Sequence, residues 1–431
     1  MPVEEIGGGY PVEKFLLAFA IVLIASKLFG ELFERFKQPS VLGELVAGVV
    51  LGGSVLALVP SIQGEAGYET FHLLAEVGVA ILLFEIGLET DLKELLKVGI
   101  TSIMVAVVGV VTPFVLGFFS ILAFAKAGML GQIEGNMVML VAIMVGATLT
   151  ATSVGITARV LSDMNRLQTP EAKIVLGAAV IDDVIGLIIL AVVAGIIAAA
   201  KAGSDTGVSF SEIGFITLKA FGFLFGAILL GNLFSKRLFD LVDKMGVRGM
   251  LLLSALSFAF IFAWVAKMMG LAPIIGSFAA GLVLANTNQF KLIEDRLKPV
   301  ADVFTPVFFI MVGAAVNVAV FNPFVKENHS VLLIALVLTV VAIGGKVVCG
   351  LAVFQKGIKK MVVGIGMIPR GEVGLIFAQF GLVQGVFDSR LFSAITVMVM
   401  LTTFVAPPLL QIAFSGQGGG AAGQKETGLG T

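Results

Sequence analysis

Two adjacent aspartates, Asp182 and Asp183, lie near the middle of an otherwise apolar, helix-forming stretch at residues 173–200. A carboxylate at the centre of a bilayer costs roughly 3 kcal/mol on insertion scales, so such residues are rare and usually functional. Neighbouring positions on a helix point about 100° apart, so one basic partner cannot easily satisfy both side chains. Because a buried carboxylate needs a proton or a cation, this pair predicts a site that holds one of the two.

The composition of the 431-residue chain is that of a membrane protein. Hydrophobic residues make up 58% and charged residues 13% of it, whereas a soluble domain carries about 25% charged residues. Its mean hydropathy is +1.07. The net charge of −1 argues against a nucleic-acid partner, and a single cysteine (Cys349) with two histidines excludes a disulfide framework or a thiol- or histidine-rich metal centre. A multi-pass protein that needs no cofactor is therefore expected.

The length of the apolar stretches predicts how often the chain crosses the membrane. A transmembrane helix needs about 20 residues, and this length divides the chain into thirteen candidate spans. We therefore expect an all-α polytopic fold with 13 transmembrane helices, followed by a disordered Gly-rich tail at 415–431. The spans are 12–36, 40–59, 70–90, 97–124, 136–160, 171–200, 211–235, 248–267, 271–288, 299–321, 330–354, 358–385 and 389–414.

The lysines and arginines between these spans predict the orientation of the chain. With the N-terminus outside, eighteen of them lie on the inner side and six on the outer side. Loops on the cytoplasmic side carry such an excess of basic residues. The sequence thus predicts an N-terminus outside and a C-terminus in the cytoplasm.

Three further spans contain polar residues that a lipid-facing helix lacks. The eleventh contains Lys346, at a depth from which its amine cannot easily reach water. Thr152 and Ser153 lie in the fifth, and Arg370 and Glu372 in the twelfth. Hydroxyl groups often bond to their own helix, and the arginine and glutamate could simply neutralise each other. If the sixth and eleventh spans cross, Lys346 can pair with one aspartate and leave the other for a transported ion.

The fifth and twelfth spans are both predicted to be interrupted. Pro369 removes a backbone N–H and Gly371 loosens the turn in the twelfth span, while Gly146 and Gly155 bracket a threonine-rich run in the fifth. The same offset pairs spans one to six with spans eight to thirteen, in opposite orientation. Interrupted helices at corresponding positions of two inverted repeats indicate the midplane site of a transporter.

Four segments closely resemble bacterial sodium/proton antiporters of the NapA type, which belong to the second cation–proton antiporter family. These segments are ATSVGITAR (151–159), GAAVIDDV (177–184), Gly345-Lys346 and PRGEVGL (369–375). The likeness runs over nearly the whole chain, and the two aspartates together with the lysine are its specific part. It implies an NhaA-like fold with two inverted six-helix repeats and two crossed discontinuous helices.

The resemblance also implies a division into domains. A mobile core domain holds the crossed helices, and the remainder forms a dimerisation domain, so a homodimer in contact with membrane lipid is expected. The implied boundaries are 1–414 for the single exchanger unit, about 12–200 and 248–414 for the repeats, about 211–235 for a linker helix, and 136–200 with 358–414 for the helices of the core.

Electrogenic exchange of two protons for one Na⁺ or Li⁺, by alternating access, is the activity that the resemblance implies. Asp183 is then the main ligand of the transported ion. Asp182 is the partner of Lys346, whose salt bridge breaks when Na⁺ binds and which can itself carry a proton. Thr152 and Ser153 match the hydroxyl-bearing helix crossing of the family.

In the same family, Arg370 and Glu372 match the charged break of the other helix, where they compensate charge rather than bind the ion. Electroneutral relatives replace the first aspartate with Asn or Gln, so Asp182 favours electrogenic exchange, but the motifs leave K⁺ open as an alternative to Na⁺.

A cation channel and an intramembrane aspartyl protease are hypotheses from other classes. The expected protein is not an enzyme, lies in the inner membrane of a prokaryote, and binds only monovalent cations, protons and lipid.

Overall fold

The structure is a computed structural model that describes residues 11–36, 38–60, 65–89, 99–130, 135–201, 210–245, 247–269 and 271–415. Within these ranges the regular secondary structure is entirely helical, with fifteen α-helices and three short 3-10 helices. All but the first residue of the predicted disordered tail lies outside the described residues.

The α-helices range in length from 7 to 34 residues. Their bounds are α1 Val12–Arg35, α2 Ser40–Leu51, α3 Tyr68–Glu89, α4 Ile100–Lys126, α5 Gly135–Thr148, α6 Val154–Asp163, α7 Pro170–Lys201, α8 Phe210–Asp243, α9 Met250–Met268, α10 Pro273–Leu284, α11 Phe290–Ala314, α12 His329–Val347, α13 Lys360–Gly366, α14 Gly371–Val383 and α15 Ser389–Ser415. The 3-10 helices are Val318–Phe321, Lys326–Asn328 and Val348–Ala352.

Eight helices in the described part of the chain are long and apolar enough to cross a membrane. They are α1, α3, α4, α7, α9, α11, α12 (with its flanking 3-10 turns) and α15. Apolar segments of 10–17 residues are found in α2, α5, α10 and α14. The protein is therefore a polytopic membrane protein, and the full number of thirteen spans stays a prediction.

The helix α2 is shorter than the span predicted at 40–59. It ends at Leu51 because Gly52 has an extended backbone, with φ −73° and ψ 177°, although its N–H still bonds to the Gly48 carbonyl. Twelve residues make a helix of about 18 Å, well below the roughly 30 Å of the hydrocarbon layer. The apolar residues that follow continue the hydropathy signal without continuing the helix.

The helices pack in two groups, which α8 connects. The first contains α1, α2, α3, α9, α10 and α11, and the second contains α4 to α7 and α12 to α15. The predicted division left 97–124 and 330–354 in the dimerisation domain, whereas α4 and α12 pack on α5, α7 and α15. The assignment of domains stays a prediction. Small residues allow this packing: a Cβ atom on Gly117 would meet Gly146, and one on Gly345 would meet Pro113.

The first group contains two helix crossings of the same kind. Gly48 of α2 lies directly against Gly313 of α11, and Gly281 of α10 lies directly against Gly87 of α3. Glycine at these positions lets the two backbones come into contact, which is a common way for membrane helices to pack. Each crossing joins a helix from the first half of the chain to one from the second half.

Candidate functional site

Two interrupted helical segments cross inside the second group of helices. Residues 149–153 separate α5 from α6, and residues 367–370 separate α13 from α14. Pro369 lacks an N–H and disfavours helical conformation in the residue before it, which accounts for the end of α13. The Ser153 N–H donates to the Pro369 carbonyl at 2.8 Å, so the two breaks are in direct contact.

Buried hydroxyl groups add to this contact. Thr157 Oγ1 donates to the Gly366 carbonyl at 2.8 Å, and Thr152 Oγ1 lies 3.4 Å from the Met367 carbonyl. Thr150 Oγ1 instead donates to the Ala147 carbonyl of its own chain segment, which is common for hydroxyl groups in membrane helices. The hydroxyls of the fifth predicted span therefore divide into those that satisfy their own backbone and those that join the two breaks.

The other predicted hydroxyl, that of Ser153, begins α6. Its Oγ accepts a hydrogen bond from the Ile156 N–H at 3.4 Å, in the manner of an N-cap residue. The helices α6 and α14 both start at the crossing, whereas α5 and α13 both end there. The crossing consequently collects two positive and two negative ends of helix dipoles, which suits the binding of small ions.

Arg370 is fully buried beside the end of α5. Its Nη1 donates to the carbonyls of Leu149 and, at 3.0 Å, of Ala151, and its Nη2 donates to the Ala342 carbonyl of α12 at 3.0 Å. A cation is favourable at the C-terminal end of a helix, where carbonyl groups lack partners. The side chain of Glu372 lies outside the described part of the structure, so its predicted role stays a prediction.

A buried ion pair joins α7 to α12 next to the crossing. Lys346 Nζ lies 3.2 Å from both carboxylate oxygens of Asp182, and both side chains are inaccessible to solvent. A charge pair without access to water is stable only when its geometry is good and further hydrogen bonds satisfy it.

Asp183 follows on the same helix but has a different environment. It is partly exposed, whereas Asp182 is fully buried. The turn of about 100° between neighbouring helical residues directs Asp182 to α12 and turns Asp183 away from it. The structure thus places the two carboxylates in different environments: Asp182 is held in a fully buried ion pair, and the Asp183 side chain is partly exposed.

Thr157 is a bridging residue that sequence reasoning did not single out. It lies one helical turn after Ser153, and this spacing could have indicated a second hydroxyl on the same face.

Thr157→Val should lower the free energy of unfolding by about 1–3 kcal/mol, because the Gly366 carbonyl is then left buried without its donor. Thermal unfolding of the purified protein measures this loss.

Thr339→Val is the matched control for this substitution. Thr339 is also buried, but its hydroxyl donates to Ala335 of its own helix, a carbonyl that the helical N–H ladder already engages. A loss for Thr157→Val no larger than that for Thr339→Val would show that the bridge adds nothing to the crossing.

The fold resembles that of solved cation exchangers. The sodium proton antiporter MjNhaP1 from Methanocaldococcus jannaschii aligns with a TM-score of 0.67 at 15% sequence identity, covering 94% of this chain and 98% of that one. The fold of this chain is therefore similar to the fold of a membrane antiporter.

Sequence comparison identifies the family. The family model described as "Sodium/hydrogen exchanger, transmembrane" matches residues 18–416. The high-affinity Na⁺/H⁺ antiporter NhaS3 of Synechocystis sp. is 44% identical, covering 93% of this chain and 90% of that protein. The Na⁺/H⁺-K⁺ antiporter GerN of Bacillus cereus is 34% identical, covering 93% and 96%. The chain belongs to the sodium/hydrogen exchanger family, which confirms the predicted class of transporter and excludes the protease.

Proposed function

We propose that the protein is an electrogenic antiporter that exchanges Na⁺ or Li⁺ for protons by alternating access, with cation and proton competing for the Asp183 carboxylate. The observation that carries this proposal is the buried pair of Asp182 and Lys346 beside a partly exposed Asp183. The Asp182 charge is compensated inside the protein, and the neighbouring Asp183 side chain is partly exposed. The two helix breaks contain backbone carbonyl oxygens, and oxygen is the hard ligand type that suits Na⁺.

The ion pair supplies the second proton of the proposed two-for-one exchange. When Na⁺ binds at Asp183, its charge competes with Lys346 for Asp182, and the pair opens. An amine without its counter-charge in a dry environment favours the neutral form, so it releases its proton. One proton then leaves from Asp183 and one from Lys346, which makes each cycle move net charge.

The proposed architecture has thirteen spans in two inverted repeats, joined by α8. Two equivalent glycine crossings, between α2 and α11 and between α10 and α3, support the repeats. The first group of helices is then the dimerisation domain of a homodimer, and the second, now including α4 and α12, is the mobile core. The positive-inside count supports an N-terminus outside and a C-terminus in the cytoplasm of a prokaryotic cell.

Exchange of K⁺ for protons is the second candidate. The printed name of the Bacillus cereus relative includes both Na⁺ and K⁺, and the residues of the crossing are those that either ion would meet. K⁺ is larger than Na⁺ and is held by a larger cage of oxygens. The side chains of this site do not by themselves select between them.

An ion series in proteoliposomes tests the proposal. Purified protein is reconstituted, an imposed pH gradient is recorded by a fluorescent dye, and Na⁺, Li⁺, K⁺ or choline is then added, with and without a clamped membrane voltage. We expect Na⁺ and Li⁺ to collapse the gradient and choline to have no effect, and the rate to depend on voltage. Exchange with K⁺ alone would favour the second candidate, and a rate independent of voltage would contradict electrogenic exchange.

A further inference from the structure

A second group of charges lies in a cavity of about 520 Å³ between the two groups of helices. We call this cavity the vestibule. Residues from α1, α2, α3, α6 and α11 line it, among them Lys27, Glu44, Glu85, Ile156, Asp302 and Thr305. The positive-inside count assigns this end of the helices to the cytoplasmic side. The volume is sufficient for several water molecules, each of which occupies about 30 Å³ in the liquid.

The lysines of the vestibule are engaged in ion pairs. Lys27 lies 3.1 Å from Asp302, and Lys298, which also lines the cavity, lies 2.5 Å from Glu294. Each pair is neutral as a unit. Two carboxylates are left, those of Glu44 and Glu85, and neither makes a hydrogen bond or an ion pair with any residue that the structure describes. The vestibule therefore contains two carboxyl groups that lack a cationic partner among the described residues.

Glu44 is the most informative of these residues. It is only 7% exposed, and it lines the same cavity as the ion pair of Lys27 and Asp302. Burying a carboxylate without a partner is costly. The Thr305 hydroxyl oxygen in the same lining is also buried without a hydrogen bond to the described residues. Glu44 and Thr305 thus line one cavity.

The vestibule ends at the helix crossing. The Ile156 side chain lines it, and the same side chain lies against Gly371, the first residue of α14. In the described part of the chain, no three acidic, histidine or cysteine side chains meet in a group that could hold a metal ion. One carboxylate and one hydroxyl in a wet cavity fit a hydrated monovalent cation better than a divalent one.

We propose that the vestibule is a second binding site for the monovalent cation, in which Glu44 and Thr305 hold hydrated Na⁺ before it reaches Asp183. This inference rests on the proposed exchange function. The site loads only when the core domain is open to the cytoplasmic side. Removing the Glu44 charge consequently weakens Na⁺ uptake from one face of the membrane and leaves the other face unaffected.

Everted and right-side-out membrane vesicles that contain the full chain test this sidedness. The half-saturating Na⁺ concentration for proton movement is measured at each face for the wild type, Glu44→Gln and Glu44→Asp. For Glu44→Gln we expect it to rise on the order of tenfold at the cytoplasmic face, the lower end of the range by which charged clefts concentrate ions. Glu44→Asp, which keeps the charge, should recover most of the wild-type value. Thr305→Val should shift the value in the same direction and tests the site independently if Glu44→Gln does not fold.

Glu31→Gln is the control. Glu31 is an acidic residue like Glu44 and lies near the C-terminal end of α1, but it is exposed and paired with Arg35. It should keep wild-type values at both faces. Equal shifts at both faces for Glu44→Gln, or none, would overturn the vestibule site while leaving the exchanger intact. Absence of Na⁺-dependent proton movement in the wild type would instead refute the proposed function itself.

Discussion

Replacing Asp183 with asparagine is expected to abolish exchange while leaving the protein folded. Asparagine has nearly the same volume but cannot carry the negative charge that both Na⁺ and a proton require. Because Asp183 is partly exposed and the Asp182–Lys346 pair is not altered, the substitution should change thermal unfolding little. Proteoliposomes with this variant should dissipate an imposed pH gradient no faster than protein-free liposomes, whichever cation is added.

The matched control is Asp240→Asn. Asp240 accepts a hydrogen bond from Gln289 at 2.9 Å, away from the crossing, and its replacement should leave exchange at the wild-type rate. Transport at the wild-type rate in Asp183→Asn would assign the ion to other ligands. Loss of transport accompanied by unfolding would show that Asp183 has a structural role instead.

Lys346→Ala is expected to have the largest effect on stability. It leaves the fully buried Asp182 carboxylate without its counter-charge, and breaking a buried ion pair from one side costs about 3–5 kcal/mol. The double variant Asp182→Asn/Lys346→Ala removes both charges and should recover much of this loss. Chemical or thermal unfolding of the three proteins in one detergent gives the comparison.

The same lysine variant also tests the coupling of charge to transport. If Lys346 supplies the second proton, any exchange that Lys346→Ala retains should move no net charge and should not respond to a clamped voltage. Unchanged unfolding together with unchanged charge movement would remove Lys346 from the mechanism.

The sequence predicts the chemical centre of this protein better than its packing. Asp182 and Asp183 interrupt a long apolar stretch, and Pro369 with Gly371 interrupts another. Both features depend only on residues that are close together in the sequence, so they can be recognised without a structure. The prediction that Asp182 is the partner of Lys346 came from resemblance, because residue spacing alone indicates only that one of the two aspartates points away from the lysine. In the folded chain, the orientation of α7 places Asp182 against Lys346.

Features that depend on neighbouring helices could not be predicted in this way. The packing of α4 and α12 on the core depends on close approach at residues such as Gly117 and Gly345, which the sequence contains among many similar glycines. Glu44 lies in an apolar helix near its end, where an acidic residue is unremarkable. Its burial beside Thr305 arises only when α2 packs on α11.

Proton release on cation binding tests the central claim most directly. Purified protein in weakly buffered detergent solution is titrated with Na⁺ while a pH electrode records the protons released. Competition at the aspartate site predicts that Na⁺ displaces protons, that choline does not, and that Asp183→Asn releases none. Saturable binding of Na⁺ to the wild type without any release of protons would contradict the account.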